Sequence, residues 1–368
     1  MHIISTYWQN MQASIFSHVE IALGESLTEK DKRLMAILDI VGVEKYVPVS
    51  RRMGKGRKSY DLGLLSRCFV AKSYLNISQT KMFREMLIGN QKLRRICGFD
   101  EFRNVPSESV LSRGFSTLAS LGVADKVHAA LVREHVSKSV VMHVSRDSTE
   151  IPVREKPSSG SEGRRAADCK RRRGRPRKGE EPAVRELTRL ERQFFQTPEE
   201  SLSEIKRTCG VGAKLNTRGR IHAWVGYKVH IDWADGEVPL NVVTTSACVH
   251  DSQLAIPMAR ITADRVTSLY DLMDSAYDSE WIRRVSESLG HVPIIDVNKR
   301  RRKCVTPMEP FRKRRYAQRT NAERGNSRLK DDFGLRMIRV RGHAKVHQYV
   351  MFAVLALFAD QLLKIFSG

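Results

Sequence analysis

Three acidic residues are candidates for chemistry because each ends, or lies within, a segment with a clear structural pattern. Asp147 closely follows the β-rich run 140–144, Asp274 ends the strand-like run that begins at Ser268, and Glu323 lies within a helical pattern. Phosphodiester cleavage needs an activated oxygen nucleophile and a stabilised leaving oxygen, which two metal ions about 3.5–4 Å apart can provide. Hard cations such as Mg2+ or Mn2+ prefer oxygen ligands. The three carboxylates therefore predict such a metal site.

Rival carboxylates have simpler explanations in most cases. Asp251 is a plausible helix N-cap, and a carboxylate at a strand end is usually a cap or turn residue. The remaining rivals flank Asp274, lie in a later strand or follow a basic helix: Asp271, Asp278, Asp296, Asp331 and Asp332. The joint placement of Asp147, Asp274 and Glu323, more than any one of them, carries the prediction.

The elements that must position these residues follow a definite order after residue 137. The β-rich run is followed by a predicted hairpin, 221–231 and 240–248, with the turn signal Asp235-Gly236. A helix to about residue 263, the strand 268–273, a helix over 279–289, the strand 292–297 and a long helix from near Arg315 complete the series. This order is typical of a ribonuclease H-like fold, a mixed sheet flanked by helices. Its first and fourth strands can lie side by side, which would bring Asp147 and Asp274 together.

The first part of the chain has a different pattern. Residues 1–136 are predicted to form a helical domain, with a capping box at residues 26–29 and a second helix start at Pro106-Ser107. Its basic residues suit a module that grips DNA, although ordinary surface charge explains them equally well: Arg84, Lys92, Arg94, Arg95, Arg103 and Arg113. Residues 137–368 form the second predicted domain. It is interrupted by a basic, disordered insertion at 156–183, which a short helical segment at 187–200 follows.

The overall charge favours a polyanionic partner. The chain has 64 Lys+Arg against 41 Asp+Glu, a formal net charge of +23, and nucleic acid is the leading partner for such an excess. A solvated basic surface is the alternative. The six cysteines have no C-x2-C pair, which indicates a reduced, cytoplasmic protein. The start of the chain lacks a secretory pattern, and the apolar stretch 349–366 is interrupted by Asp360 and Lys364, which predicts a buried helix and no membrane association.

The segment around Glu323 carries a motif of four residues at fixed spacing. Tyr316, Arg319, Glu323 and Lys330 fit Y-x2-R-x3-E-x6-K, and the chain thereby resembles DDE transposases of bacterial insertion sequences. The resemblance extends to Asp147-Ser-Thr149 and to Asp274-Ser-Ala-Tyr277, where relatives often have Gly in place of Ala276. Residues 226–230 and His250-Asp251 look like framework elements of the family. The likeness spans about residues 60–360.

The resemblance implies roles for these residues. Asp147, Asp274 and Glu323 would hold Mg2+, with Mn2+ able to substitute, whereas Arg319 and Lys330 would hold the DNA backbone and Tyr316 would contact DNA near the cleaved phosphate. At about 100° per residue the four motif residues fall within a stripe roughly 60° wide. An ordinary charged helix face with salt bridges is the alternative. The implied activity is cleavage at insertion-sequence ends and transfer of the 3′-hydroxyl into target DNA, by a homodimer that binds terminal inverted repeats.

Two basic stretches extend this prediction. Arg173-Gly-Arg175-Pro-Arg177 resembles an AT-hook, whose narrow core can enter the minor groove of A·T-rich DNA. A non-specific tether to phosphates explains it equally well. The second stretch, 299–303 and 312–315, leads into the predicted catalytic helix. It is part of a DNA channel or a solvated loop.

Two other functions remain open from the sequence. A catalytically inactive DNA-binding regulator or domesticated relative would keep the basic surface, but the full set of acidic residues argues against it. A structure-directed nuclease of the same fold would cut without strand transfer. A DNA transposase associated with the nucleoid is the leading hypothesis.

Overall fold

The computed structural model describes residues 20–21, 24, 26–48, 59–158, 186–215, 219–299 and 307–367. Its amino-terminal part is helical, as predicted, with these elements: α1 (Glu29–Val41), α2 (Leu62–Tyr74), α3 (Thr80–Gly89), α4 (Gln91–Ile96), α5 (Glu108–Leu121) and α6 (Val123–His135). The capping box that begins α1 joins Thr28 and Asp31, so the box predicted from Ser26 was placed two residues too early. Leu27 is already buried in the core. Ser107 caps α5 as predicted.

The second part contains the predicted mixed sheet. Its strands are β1 (Val141–Pro152), β2 (Gly210–Leu215), β3 (Ile221–Ala234), β4 (Val238–Ser246), β5 (Ser268–Met273) and β6 (Val292–Ile295). The order is β2-β3-β1-β5-β6, with β4 also paired to β3. Strand β1 is antiparallel to β3 and parallel to β5, so the predicted adjacency of the first and fourth strands is confirmed. The mixed sheet and its flanking helices confirm the predicted fold class.

Helices flank this sheet: α7 (Arg189–Phe195), α8 (Pro198–Ser203), α9 (Ser252–Arg265), α10 (Glu280–Ser288), α11 (Pro310–Tyr316), α12 (Thr320–Asp331) and α13 (His343–Ser367). The single helical segment predicted over 187–200 is two helices, because Thr197 caps a new helix that begins with Pro198. The helix predicted from near Arg315 begins earlier, at Pro310, and a 3-10 turn at Ala317–Arg319 separates α11 from α12.

Helix α13 is the centre of the core. By length and composition it could cross a membrane, but 78% of its apolar window is buried inside the protein. It packs against α1, α2, α5 and α6 as well as β4, and Arg33 Nε donates to Asp360 Oδ1 at 2.6 Å. One apolar core therefore extends through both parts of the chain. The change from helix to sheet falls between His135 and Val141, and the division into two domains at residue 136 stays a prediction.

Two predicted basic segments lie outside the described residues. One is most of the insertion predicted at 156–183, because residues 159–183 are not described, and with them Arg173, Arg175 and Arg177. The other is the first part of the second basic stretch, 299–303, of which residues 300–303 are not described; its second part, 312–315, lies in α11.

Candidate active site

The three predicted carboxylates converge on one guanidinium group. Arg319 Nη1 lies 2.8 Å from Glu323 Oε1, while Arg319 Nη2 lies 3.2 Å from Asp147 Oδ1 and 3.8 Å from Asp274 Oδ2. Asp147 and Asp274 are 127 residues apart in the chain, so only the fold brings them to one place.

The sheet register explains how the two aspartates meet. Strands β1 and β5 pair in parallel, and the last pair is Ser145 with Leu272. Two residues further along this register, Asp147 lies beside Asp274, where β5 has ended and β1 continues against β3. Asp274 then caps the next turn, because its Oδ1 accepts from Ala276 N at 2.8 Å. The backbone N–H at position 276 makes this contact, so Ala serves as well as Gly.

Close packing of α12 on the sheet brings Glu323 to the same place. A Cβ atom at Gly325 would lie 2.6 Å from the ring of Trp233, and the Trp233 side chain is fully buried in β3. Gly325 therefore allows α12 to approach β3 closely. The sequence pattern did not reveal this glycine, because a helical glycine has no pattern of its own.

Asn326 is a further member of the site that sequence reasoning missed. Its Nδ2 donates to Asp147 Oδ2 at 3.0 Å, and it lies one helical turn after Glu323. Its Oδ1 is buried and has no hydrogen-bond partner among the described residues. A buried, unpaired carbonyl oxygen is costly unless a water or ion satisfies it. The spacing of three residues from Glu323 is the signal that could have found it.

The site carries more negative charge than its surroundings balance. Burial raises the pKa of Asp147 to about 6, although Arg319 opposes the change, and the nearby Asp274 adds to it. Burial likewise raises the pKa of Asp274, and Asp251 adds to that increase. A raised pKa means that the carboxylate would gain from a further positive charge.

The donor atoms suit a hard divalent cation, but their present arrangement does not enclose one. Within the described residues, no three His, Cys, Asp or Glu side chains lie close enough together to hold a metal ion as they stand. The site nevertheless fits such an ion by its chemistry: it has oxygen donors, uncompensated negative charge and the unpaired Asn326 Oδ1. The guanidinium of Arg319 occupies the space between the carboxylates, so the fit requires that this side chain move.

Of the other two motif residues, Lys330 pairs with a different carboxylate of β1. Lys330 Nζ is 3.9 Å from Glu150 Oε1, three residues beyond Asp147 on β1. Glu150 also pairs with Lys214 at 3.0 Å and with His222 at 3.4 Å. Burial raises the pKa of Tyr316, and Arg319 opposes that change. The predicted stripe therefore follows β1, with Arg319 and Glu323 at Asp147 and Lys330 at Glu150.

Asp251 has a different contact from the one predicted. It precedes α9, but its side chain caps no backbone N–H there. Instead Lys228 Nζ donates to Asp251 Oδ1 at 2.9 Å, and His230 Nδ1 lies 3.8 Å from the same oxygen. The two predicted framework segments, 226–230 and 250–251, thus meet at Asp251.

Three of the remaining rivals, Asp271, Asp278 and Asp331, serve the scaffold, as their contacts indicate. Asp271 accepts from Ser286 Oγ and contacts His291 Nδ1 at 3.1 Å, and all three side chains are buried. Asp278 pairs with Arg283 at 2.9 Å, and Asp331 pairs with Arg336 at the end of α12.

Some of the predicted DNA-gripping cations are structural. Arg94 is buried, and it donates to the carbonyls of Leu87 and Ile88 at the end of α3, so it is not available to a phosphate. Arg315 on α11 stacks over Tyr270 on β5, with its guanidinium carbon 4.1 Å from the ring centroid. This contact joins α11 to β5. Arg103 and Arg113 are exposed.

Two families of known proteins match the chain. Residues 185–359 match the family described as "Transposase DDE domain", and residues 23–116 match the one described as "Transposase domain (DUF772)". The chain matches no curated protein and no solved structure. The two transposase domains indicate a DNA transposase of the DDE type, a class that in general uses divalent metal ions and binds DNA.

Proposed function

We propose that this protein cleaves DNA at the ends of an insertion sequence and transfers the freed 3′-hydroxyl into target DNA, in a reaction that depends on Mg2+ or Mn2+. The observation that carries the proposal is the convergence of Asp147, Asp274 and Glu323 on the single guanidinium of Arg319. The Y-x2-R-x3-E-x6-K resemblance gives independent support from the sequence.

Asp147, Asp274 and Glu323 would hold the divalent ions. When bound, such ions supply Lewis-acid activation of the attacking oxygen and stabilisation of the leaving oxygen. Asn326 keeps the outer oxygen of Asp147 in place through its hydrogen bond of 3.0 Å. Asp274 is held by the backbone N–H of Ala276, so both aspartates have fixed orientations before a substrate arrives.

The DNA strand would run along β1 beneath α12. Arg319 and Lys330 follow one another along β1, next to Asp147 and Glu150 respectively. We propose that both bind the phosphate backbone of the DNA. Tyr316 would contact DNA beside the cleaved phosphate. The basic segment with Arg173, Arg175 and Arg177 would add an AT-hook-like contact in the minor groove. Deleting residues 171–178 should lower DNA affinity and flatten its salt dependence.

The partners follow from the same reaction. Terminal inverted repeats and target DNA are the substrates, and a homodimer would hold two transposon ends together, because cleavage at both ends needs two sites. We place the protein in the cytoplasm, at the nucleoid. The positive charge and the separated cysteines of the sequence support this location.

A nicking assay on a plasmid that carries the gene's own flanking DNA tests the proposal. With Mg2+ or Mn2+, the wild type should nick at the two boundaries of the element and leave 3′-hydroxyl ends, and EDTA should abolish the nicks. Asp147→Asn, Asp274→Asn and Glu323→Gln should bind the same DNA without cutting it. Asp264→Asn is the matched control, because Asp264 is an exposed carboxylate at the carboxy-terminal end of α9. This variant should cut normally.

The outcomes separate the alternatives. A wild type that binds the ends but never cuts would support an inactive DNA-binding regulator. Cuts that persist in all three carboxylate variants would contradict the assigned site. Cuts without any joining of the 3′ end to target DNA would indicate a nuclease of the same fold.

A further inference from the structure

Arg319 has an unusual set of partners for a residue that is expected to bind DNA. Its two terminal nitrogens contact all three catalytic carboxylates, at 2.8, 3.2 and 3.8 Å. Only 16% of its side chain is exposed, and its Nε is buried without a hydrogen-bond partner among the described residues. In this state the guanidinium faces inward and leaves little surface for a phosphate.

The contacts give Arg319 an electrostatic task. Three carboxylates that face one another repel, and the repulsion is strong where water is partly excluded. Among the described residues, Arg319 is the cation that has an ion pair with all three of these carboxylates, whereas Lys228 on β3 is engaged by Asp251 and by the carbonyl of Val249. Arg319 is therefore the group that holds the three acidic side chains together. Its five N–H donors suit it to bridge several carboxylates at once.

This arrangement cannot coexist with a divalent ion bound by the same oxygens. Mg2+ binds carboxylate oxygens at about 2.0–2.1 Å with near-octahedral geometry. The oxygens that would hold it, Asp147 Oδ1, Asp274 Oδ2 and Glu323 Oε1, are those that Arg319 now contacts. One positive group must leave before the other can enter.

The position of Arg319 in the chain suits such a movement. It ends the 3-10 turn at Ala317–Arg319 that joins α11 to α12, and such turns within a helix often mark hinges. Its contact with Glu323 spans four residues, so a change of side-chain rotamer alone breaks it.

We propose that Arg319 is an internal counter-ion that assembles the carboxylates and that a divalent cation displaces it, which frees the guanidinium to bind a DNA phosphate. The inference rests on the proposed function and adds a regulatory link to it. Because ion and arginine compete for the same oxygens, a phosphate that holds Arg319 outside strengthens metal binding. By linkage, metal binding strengthens DNA binding by the same factor.

A Mn2+ titration of the full-length protein without DNA tests the proposal, with isothermal calorimetry as the readout. Arg319→Gln removes the competing charge and should bind Mn2+ about fivefold more tightly or better. In EDTA, the same variant should have a lower Tm than the wild type, because the carboxylates then repel. Arg319→Lys keeps the charge but lacks the planar fork that bridges several carboxylates, so its Mn2+ affinity should lie between those of the wild type and Arg319→Gln.

The controls distinguish this proposal from the proposed function. Arg324→Gln changes an exposed arginine on the same helix that pairs with Glu237, and it should leave Mn2+ affinity unchanged. Asp147→Asn should lose Mn2+ binding. If Asp147→Asn binds Mn2+ as well as the wild type, the metal site and with it the proposed function fail. If Asp147→Asn loses binding but Arg319→Gln binds no more tightly than the wild type, the counter-ion role alone fails.

Discussion

Arg146 and Asp147 are neighbours on β1, yet their charged groups lie in opposite circumstances. Arg146 is buried in the scaffold and binds Asp232 through two nitrogens, at 2.7 and 2.9 Å. Asp232 also accepts from Thr262 Oγ1 at 2.6 Å. Asp147, one residue further, shares Arg319 with two other carboxylates. The pair of Arg146 and Asp232 is balanced in charge. The cluster around Asp147 has three carboxylates for one arginine.

The pKa changes express this difference. Burial alone would lower the pKa of Arg146, but Asp232 outweighs it and the pKa rises, which favours the charged form. Burial raises the pKa of Asp147 to about 6, and Arg319 does not outweigh it, so there the charged form is disfavoured. Breaking a balanced buried pair leaves one charge uncompensated, whereas an unbalanced cluster has capacity for a ligand. The comparison therefore predicts opposite consequences for substitutions at adjacent positions.

The largest expected effect is on activity at Asp147. Asp147→Asn removes one of the proposed metal ligands and should lower metal-dependent nicking on the order of 10³-fold, about 4 kcal/mol of transition-state stabilisation. Its Tm in EDTA should equal or exceed that of the wild type, because the substitution relieves repulsion from Asp274. A nicking assay and calorimetric melting curves check both. A normal rate, or a large fall in Tm, would mean that Asp147 belongs to the scaffold.

Arg146→Met should act in the opposite way. It leaves the buried Asp232 without its partner and should cost about 3–5 kcal/mol of unfolding free energy. The double variant Arg146→Met/Asp232→Leu removes both charges and should recover most of that loss. Denaturant unfolding measures both. If the single and double variants are equally unstable, the ion pair is not what this position contributes.

Gly325→Ala should have a smaller effect, on both stability and metal affinity, because Gly325 lies where α12 packs on β3. The added Cβ meets the buried Trp233 ring at 2.6 Å, so α12 must move away from β3 at a cost of about 1–3 kcal/mol. Mn2+ affinity should fall as well, because Glu323 moves with the helix. Gly89→Ala is the matched control, since a Cβ there meets nothing within 4 Å. Unchanged stability in Gly325→Ala would contradict the close packing of α12.

The last expected effect, similar in size to that of Gly325→Ala, is the pH dependence of stability. The folded pKa of Asp147 is about 6, above its ordinary value of 3.8, so between these pH values the folded protein binds more protons than the unfolded chain. In EDTA, the wild type should therefore lose unfolding free energy relative to Asp147→Asn as the pH rises from about 4 to 6. Unfolding curves of the two proteins across that range measure the difference. A constant difference would show that Asp147 is not desolvated.

Much of this comparison could be predicted from the sequence. The apolar runs predicted five of the six strands of the described sheet, and their order placed Asp147 beside Asp274. Strand β2 escaped notice because Gly210–Leu215 contains two glycines and little alternation of apolar and polar residues. The division of the motif helix into α11 and α12 was also missed, because a 3-10 turn and an α-helix have similar local sequence requirements.

The contacts of the site could not be predicted, because they depend on side-chain directions that only the packed fold determines. Arg319 was expected to face DNA, but it points at the carboxylates of Glu323, four residues further along the chain, of Asp147 on β1 and of Asp274 just after β5. Asp251 was expected to cap a helix, but Lys228 on β3 is close enough to compete for it. An asparagine within a helix is common, and only the hydrogen bond to Asp147 shows that Asn326 belongs to the site.

The central claim is that three distant carboxylates form one metal site, and iron-mediated cleavage of the polypeptide tests it most directly. Fe2+ can replace Mg2+ at carboxylate sites, and with ascorbate and peroxide it cuts the chain next to where it is bound. We expect fragments that end near residues 147, 274 and 323 together, and their loss when excess Mg2+ competes. Cleavage at one or two of these positions, or elsewhere in the chain, would contradict the account.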